Sequence, residues 1–217
     1  MSVEQPTEQV NARRAYNSDR RRQRSRDTHA ALLDVARSRF LEHGYSATTI
    51  DSIAADADVS AATIFKTYAS KAGLVRALCE RALGGRGSVA AEQRSDALQA
   101  NESDPRKIIA GWGRLTAEVA PRIAPLLLLL RDAANGDPAA AALLAELDQE
   151  RHARMKHNAR SLVLGGHTRR AIDLSKAADV LWTYSSPELY DLLVRRRNWT
   201  LRRYSAFIAE AITNALL

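Results

Sequence analysis

The chain has 217 residues, a formal charge of +7 and one cysteine. That length admits one large or two small domains with a substantial apolar core. The lone Cys79 excludes an internal disulfide and suits a reducing cytoplasm. No apolar run follows the basic N-terminal residues, so no secretory signal is expected, and the leucine run at 126–130 is too short to span a bilayer. The excess positive charge points to a polyanion, either nucleic acid or an acidic membrane surface.

Residues 1–25 are polar and basic without apolar periodicity, and Arg13, Arg14, Arg20, Arg21, Arg22 and Arg24 crowd its second half. They read as a disordered arm, either solvated or reaching a DNA backbone or minor groove. Helix from Asp19 onward is the alternative reading. Residues 26–83 form the next unit. Its first helix is predicted over Thr28–His43, with Leu32, Leu33, Ala36 and Phe40 on the core side and Gly44 as the terminating glycine.

The stretch TTIDSIAADADVSAATIFKTYASK, Thr48–Lys71, reads as a helix-turn-helix. Thr49 is an N-cap candidate, with Asp51 in the first turn. Ile50, Ile53, Ala54 and Ala57 keep helical spacing. Asp58 tolerates the left-handed turn that breaks the helix. Val59 plugs the core. Ser60 caps a second helix whose Ile64 and Tyr68 face inward, and Ser70 and Lys71 open a third.

VSAATIFKTYASK resembles the recognition-helix stretch of the TetR family of bacterial transcriptional repressors. The resemblance extends back through LEHGYSATTIDSIA and covers about residues 28–80. Three positions depart from the pattern: Asp58 where glycine is usual, Phe65 where a phosphate-contacting tyrosine is usual, and Thr67 where histidine or tyrosine is usual. In this reading Ser60 to Lys66 enters the major groove. Ala61 and Ala62 pack on thymine methyls, and Thr63 reaches a base edge or phosphate. Thr49 and Lys71 hold phosphates, and Lys66 does either. Arg26, Thr48, Phe65 and Thr67 complete the candidate DNA-binding set.

Residues 84–217 read as a ligand-binding and dimerisation domain. Gly84, Gly85 and Gly87 break the helical pattern, and a poorly patterned helix is expected over 88–102. Asp104-Pro105 starts the next helix, lined by Ile108, Ile109, Trp112, Leu115 and Val119. Pro121 and Pro125 are expected to interrupt it. Asp137-Pro138 opens a long helix to about Leu164. Its apolar face is broken by Arg151 and Asn158, either for an ion pair of Arg151 with Asp148 or Asp132 or as polar anchors in an apolar cavity. Trp112, Leu127, Arg151, Met155 and Asn158 are the candidate ligand contacts.

Further helices carry Leu174, Ala177, Ala178, Leu181 and Trp182, then Pro187–Leu193. A last one, capped by Thr200, carries Tyr204, Phe207, Ile208, Ala211, Ile212 and Ala215. Residues 178–217 resemble the C-terminal end of many actinobacterial-type TetR members. That resemblance implies that the last two long helices pair with their copies in a four-helix bundle. Leu181, Trp182, Tyr204, Phe207, Ile208 and Ala211 are the candidate dimer contacts.

No strand alternation competes, so the fold class is all-α. The histidines share no metal-binding face, and no phosphate loop or nucleophile–base pair occurs, so no metal, cofactor or catalysis is expected. The residues point to a DNA-binding protein. The resemblance implies a homodimeric repressor on a palindromic operator, released by a largely apolar effector, with no membrane partner. The alternatives are an activator, or an all-α ligand-binding or enzymatic protein whose helix-turn-helix only packs.

Overall fold

A computed structural model describes residues 7–84 and 89–217, with side chains from residue 23 onward except residue 25. The described elements are α1 (Thr7–Ala47), α2 (Ile50–Asp56), α3 (Ala61–Tyr68), α4 (Lys71–Gly84), α5 (Ala91–Asn101), α6 (Pro105–Ala134), α7 (Pro138–Leu164), α8 (Leu174–Tyr184), α9 (Pro187–Tyr190) and α10 (Leu201–Leu216). Among the described residues there is no strand, so the molecule is all-α as expected.

Local sequence explains most boundaries. Asp104, Asp137, Asp173 and Thr200 each accept a backbone N–H from the first turn of the helix they precede, satisfying amides the helix leaves orphaned. Gly44 takes φ 82° and ψ 168° and kinks the end of α1.

Three expectations are corrected. The arm expected to be disordered is helical from Thr7, because α1 begins there; no glycine or proline lies between Thr7 and Gly44 to stop it. The side chains of its arginines up to Arg22 lie outside the described residues, as do Gly85 and Gly87. Pro121 and Pro125 do not interrupt α6, which runs through both. Each proline removes one helical donor, but Ala117, Ala120, Ala124, Leu126 and Leu127 are buried around them and hold the helix by packing. The segment after α9 does not stop at Leu193. It widens into a π-helical stretch over Asp191–Arg196, where the buried carboxylate of Asp191 accepts from Arg195 at 3.0 Å and Arg196 at 2.7 Å.

Two apolar cores result. The first joins Phe40, Ile53, Ile64, Leu74 and Leu78 of α1–α4 to Leu126 and Leu130 of α6 and Leu143 of α7. The second joins Ile109 and Trp112 of α6 to Leu162, Leu181, Tyr204 and Ile208. Helices α6 and α7 therefore take part in both. Small residues permit the tightest crossing: a Cβ on Gly113 would stand 2.6 Å from the Ser205 carbonyl and 3.1 Å from Ala209 Cβ. This lets α6 lie directly on α10.

Candidate nucleic-acid interface and the cavity behind it

The reading head is built from its turns outward. Thr49 Oγ1 accepts from Ser52 N at 3.1 Å, and the Thr49 amide returns a bond to Ser52 Oγ at 3.3 Å, a reciprocal capping box. At the other end of α2, Val59 N donates to Ala54 O at 3.0 Å while Asp58 takes φ 51°. That is a helix C-terminus closed by a left-handed residue, with aspartate in the role glycine usually fills. Ser60 then caps α3 by accepting from Thr63 N at 3.2 Å.

Helix α3 buries Ile64 completely and half-buries Tyr68 and Ala61. The opposite side, Ala62, Thr63, Lys66 and Thr67, is exposed, with Phe65 50% exposed at its flank. A Cβ on Gly73 would collide with the Tyr68 carbonyl, so only glycine lets α4 turn this sharply away from α3; its spacing in the sequence did not reveal this. Arg81 of α4 donates to Ala30 O at 3.1 Å and Asp34 at 2.7 Å, and Arg39 of α1 pairs with Asp56 of α2. These braces tie α4 and α2 to α1 on either side of α3. The Arg39 guanidinium holds the Asp56 carboxyl below the usual carboxylate range.

The candidate DNA contacts separate into two groups. Arg26, Thr49, Ser60, Ala62, Thr63, Phe65, Lys66 and Thr67 are exposed and Ala61 is half-buried; all but Arg26 belong to this head. Thr48 is corrected: it is 2% exposed, and its hydroxyl donates to Gly44 O at 2.8 Å and Arg39 O at 3.2 Å, sealing the end of α1. Lys71 also has an internal partner. Its Nζ donates to Tyr45 O at 3.1 Å and lies 4.2 Å from the centre of the Tyr45 ring, pinning the start of α4 to the α1–α2 junction.

Behind the head lies a cavity of about 210 Å³ between α5, α6, α7 and α8. Trp112, Leu127, Arg151, Met155 and Asn158, predicted from separate stretches, all line it. Arg151 donates to Trp182 O at 2.6 Å, Ser185 Oγ at 3.0 Å and Asp148 Oδ1 at 3.1 Å. The ion pair with Asp148 is thus present in a cavity wall, and burial lowers the guanidinium's proton affinity, an effect Asp148 partly offsets. Asn158 Oδ1 accepts from Ser95 Oγ at 3.4 Å and Gln99 Nε2 at 3.3 Å, and Trp112 Nε1 donates to Ser95 Oγ at 3.1 Å. Ser95 is the one buried residue of α5. Leu98 packs on the second core against Gly111 of α6, and charge ties down the rest of α5: Arg94 makes two 2.8 Å bonds to Glu118 on α6, and Asp96 accepts from Arg154 on α7. These partners pull both carboxyls below their usual range. The sequence missed this network because its partners lie 17 to 63 positions apart.

The candidate dimer contacts divide. Leu181, Tyr204 and Ile208 are corrected, being 2%, 0% and 0% exposed within one chain; Leu181 lines the cavity. Their helices are amphipathic enough to fill the chain's own second core. Trp182, Phe207 and Ala211 stay partly exposed.

A capped helix-turn-helix set on a larger all-α body with an internal cavity defines a two-part helical class of protein. The family profile described as bacterial regulatory proteins, tetR family, matches residues 32–78. Two uncharacterized HTH-type transcriptional regulators of Bacillus subtilis (strain 168) are similar over the same end. YvkB is 41% identical over 71 residues, 33% of this chain and 38% of its own. YdeS is 45% identical over 58 residues, 27% of this chain and 29% of its own. The match therefore spans well under half the length of either relative. Among solved structures, the fatty acid degradation regulator FadR from Bacillus halodurans superposes with a TM-score of 0.69 at 14% identity, covering 86% of this chain and 94% of that one. The SmeT–triclosan complex gives 0.68 at 18%, covering 88% and 92%. These likenesses establish the fold along nearly the whole chain. The N-terminal unit thus matches the tetR-family profile over residues 32–78, and the chain shares the fold of these solved structures.

Proposed function

We propose that this protein is a sequence-specific DNA-binding transcriptional regulator that works as a homodimer in the cytoplasm. The observation that carries the reading is α3: an eight-residue helix closed at both ends and anchored by fully buried Ile64, with its outer side exposed and able to enter a major groove. The formal charge of +7 favours a polyanionic partner. Among the described residues no helix is long and apolar enough to cross a membrane.

The finer reading is repression of a palindromic operator, relieved by a small, largely apolar ligand in the cavity. The cavity's leucine, tryptophan and methionine walls support an apolar ligand, and SmeT, which shares the fold, has been solved as a complex with triclosan. Helices α6 and α7 join both cores, and Arg76 of α4 pairs with Glu146 and Glu150 of α7. A ligand that shifts α7 thereby biases the position of α4 and the head. Coupling of the usual size lowers operator affinity about 5–150-fold. Partly exposed Trp182, Phe207 and Ala211 mark the side of α8 and α10 that a second copy would cover.

A gel-shift and footprint on the DNA upstream of the protein's own gene test this. The expected result is a retarded complex protecting two half-sites about 34–36 Å apart. Equal affinity for that DNA and for unrelated duplex at moderate salt would contradict it.

A further inference from the structure

Helix α3 has little polar reading capacity left. Ser60 Oγ lies 2.8 Å from Thr63 Oγ1 and accepts from the Thr63 amide, while Thr67 Oγ1 donates to Thr63 O at 3.0 Å. Thr67 thus spends its proton on the backbone and the Ser60–Thr63 pair spends one of its two, which leaves a single hydroxyl donor on this side. Lys66 is its one charged side chain, a flexible point charge that suits a phosphate better than a hydrogen-bond pattern. What the exposed side offers is apolar: the methyl of Ala62 and the ring of Phe65, which is 50% exposed.

Covering the half-exposed Phe65 with an apolar partner would be favourable. A major groove presents one apolar group, the thymine C5-methyl. Without a hydroxyl, Phe65 has nothing to give a phosphate. Resting on the DNA-binding reading above, we propose that operator recognition depends on thymine methyl groups packed against Phe65 and Ala62. The protein then selects half-sites by the position of T in a T·A pair, with little donor–acceptor readout from α3.

The test removes the methyl and nothing else. Duplexes are selected by the full-length protein from a random-sequence library, and each half-site thymine is replaced in turn by deoxyuridine. Affinity should fall about fourfold per contacted methyl, the value of one buried methyl group. Phe65→Ala should abolish the loss at one position in each half-site while leaving the other. Phe65→Tyr, which keeps the ring, should retain it. Both changes lie on the surface, and circular dichroism verifies that the variants fold. A selected, specific duplex indifferent to uracil at every position would overturn the proposal while sparing the DNA-binding reading. So would undiminished uracil sensitivity in Phe65→Ala. A selection that enriches no sequence would overturn both.

Discussion

The reading head and the α5 wall of the cavity both carry charged braces but differ in what fills their centres. In the head, polar side chains cap their own helices and apolar ones fill the interior: Phe40, Ile53, Ile64 and Leu74 are all fully buried. In α5 the only buried residue is a serine, and the helix is fastened by Arg94–Glu118, Asp96–Arg154 and the Ser95–Asn158–Trp112 bonds. An apolar core resists in one step. A charge-fastened wall can loosen alone, because each bond is exchangeable for water. The fastened element is one wall of the cavity.

The largest effect should come from the head. Phe40→Ala empties a site stacked on Tyr45, with ring centres 5.9 Å apart, and should cost about 3–5 kcal/mol of stability. Urea unfolding reads it, and a loss below about 1 kcal/mol would mean the head is not a single packed unit. Smaller is Asn158→Ala, which strips the acceptor from Gln99 and Ser95. It should cost about 1–3 kcal/mol, concentrated as faster hydrogen exchange in α5 with α2–α4 unchanged. Exchange rising equally in both would erase the contrast.

The smallest is the response to acid. The folded carboxyls of Glu118 and Asp96 titrate below their unfolded values. Their contribution is therefore present above the ordinary carboxylate pKa, about 4, and is lost as pH falls through the folded values. Each pair is partly exposed and worth below about 1 kcal/mol. Protection of α5 relative to α3 should drop on acidification before the molecule unfolds. A ratio that stays constant would show that these pairs contribute nothing.

The same contrast explains what the sequence disclosed. Caps and turns depend on residues within four positions of each other, so Thr49, Ser60, Asp104, Asp137 and Thr200 were legible, as was the left-handed turn at Asp58. Five residues singled out from helical patterns and their interruptions line the cavity. Periodicity could not say whether an apolar stripe meets its own chain or a second copy, which is why Leu181, Tyr204 and Ile208 were misassigned. Nor could it distinguish a threonine that faces out from one that turns in, as Thr48 does. The fastening of α5 was invisible because Glu118 and Asn158 follow no local rule.

The central claim, that the outer side of α3 enters the major groove, is tested most directly by Ala62→Glu. Ala62 is exposed, so the variant should fold with an unfolding midpoint close to wild type. Its carboxylate would face the groove and the phosphates, and would draw Lys66, four residues on, away from the DNA. Fluorescence anisotropy with the selected duplex should report binding reduced to the nonspecific level. A folded Ala62→Glu protein that binds this duplex as tightly as wild type would contradict the account.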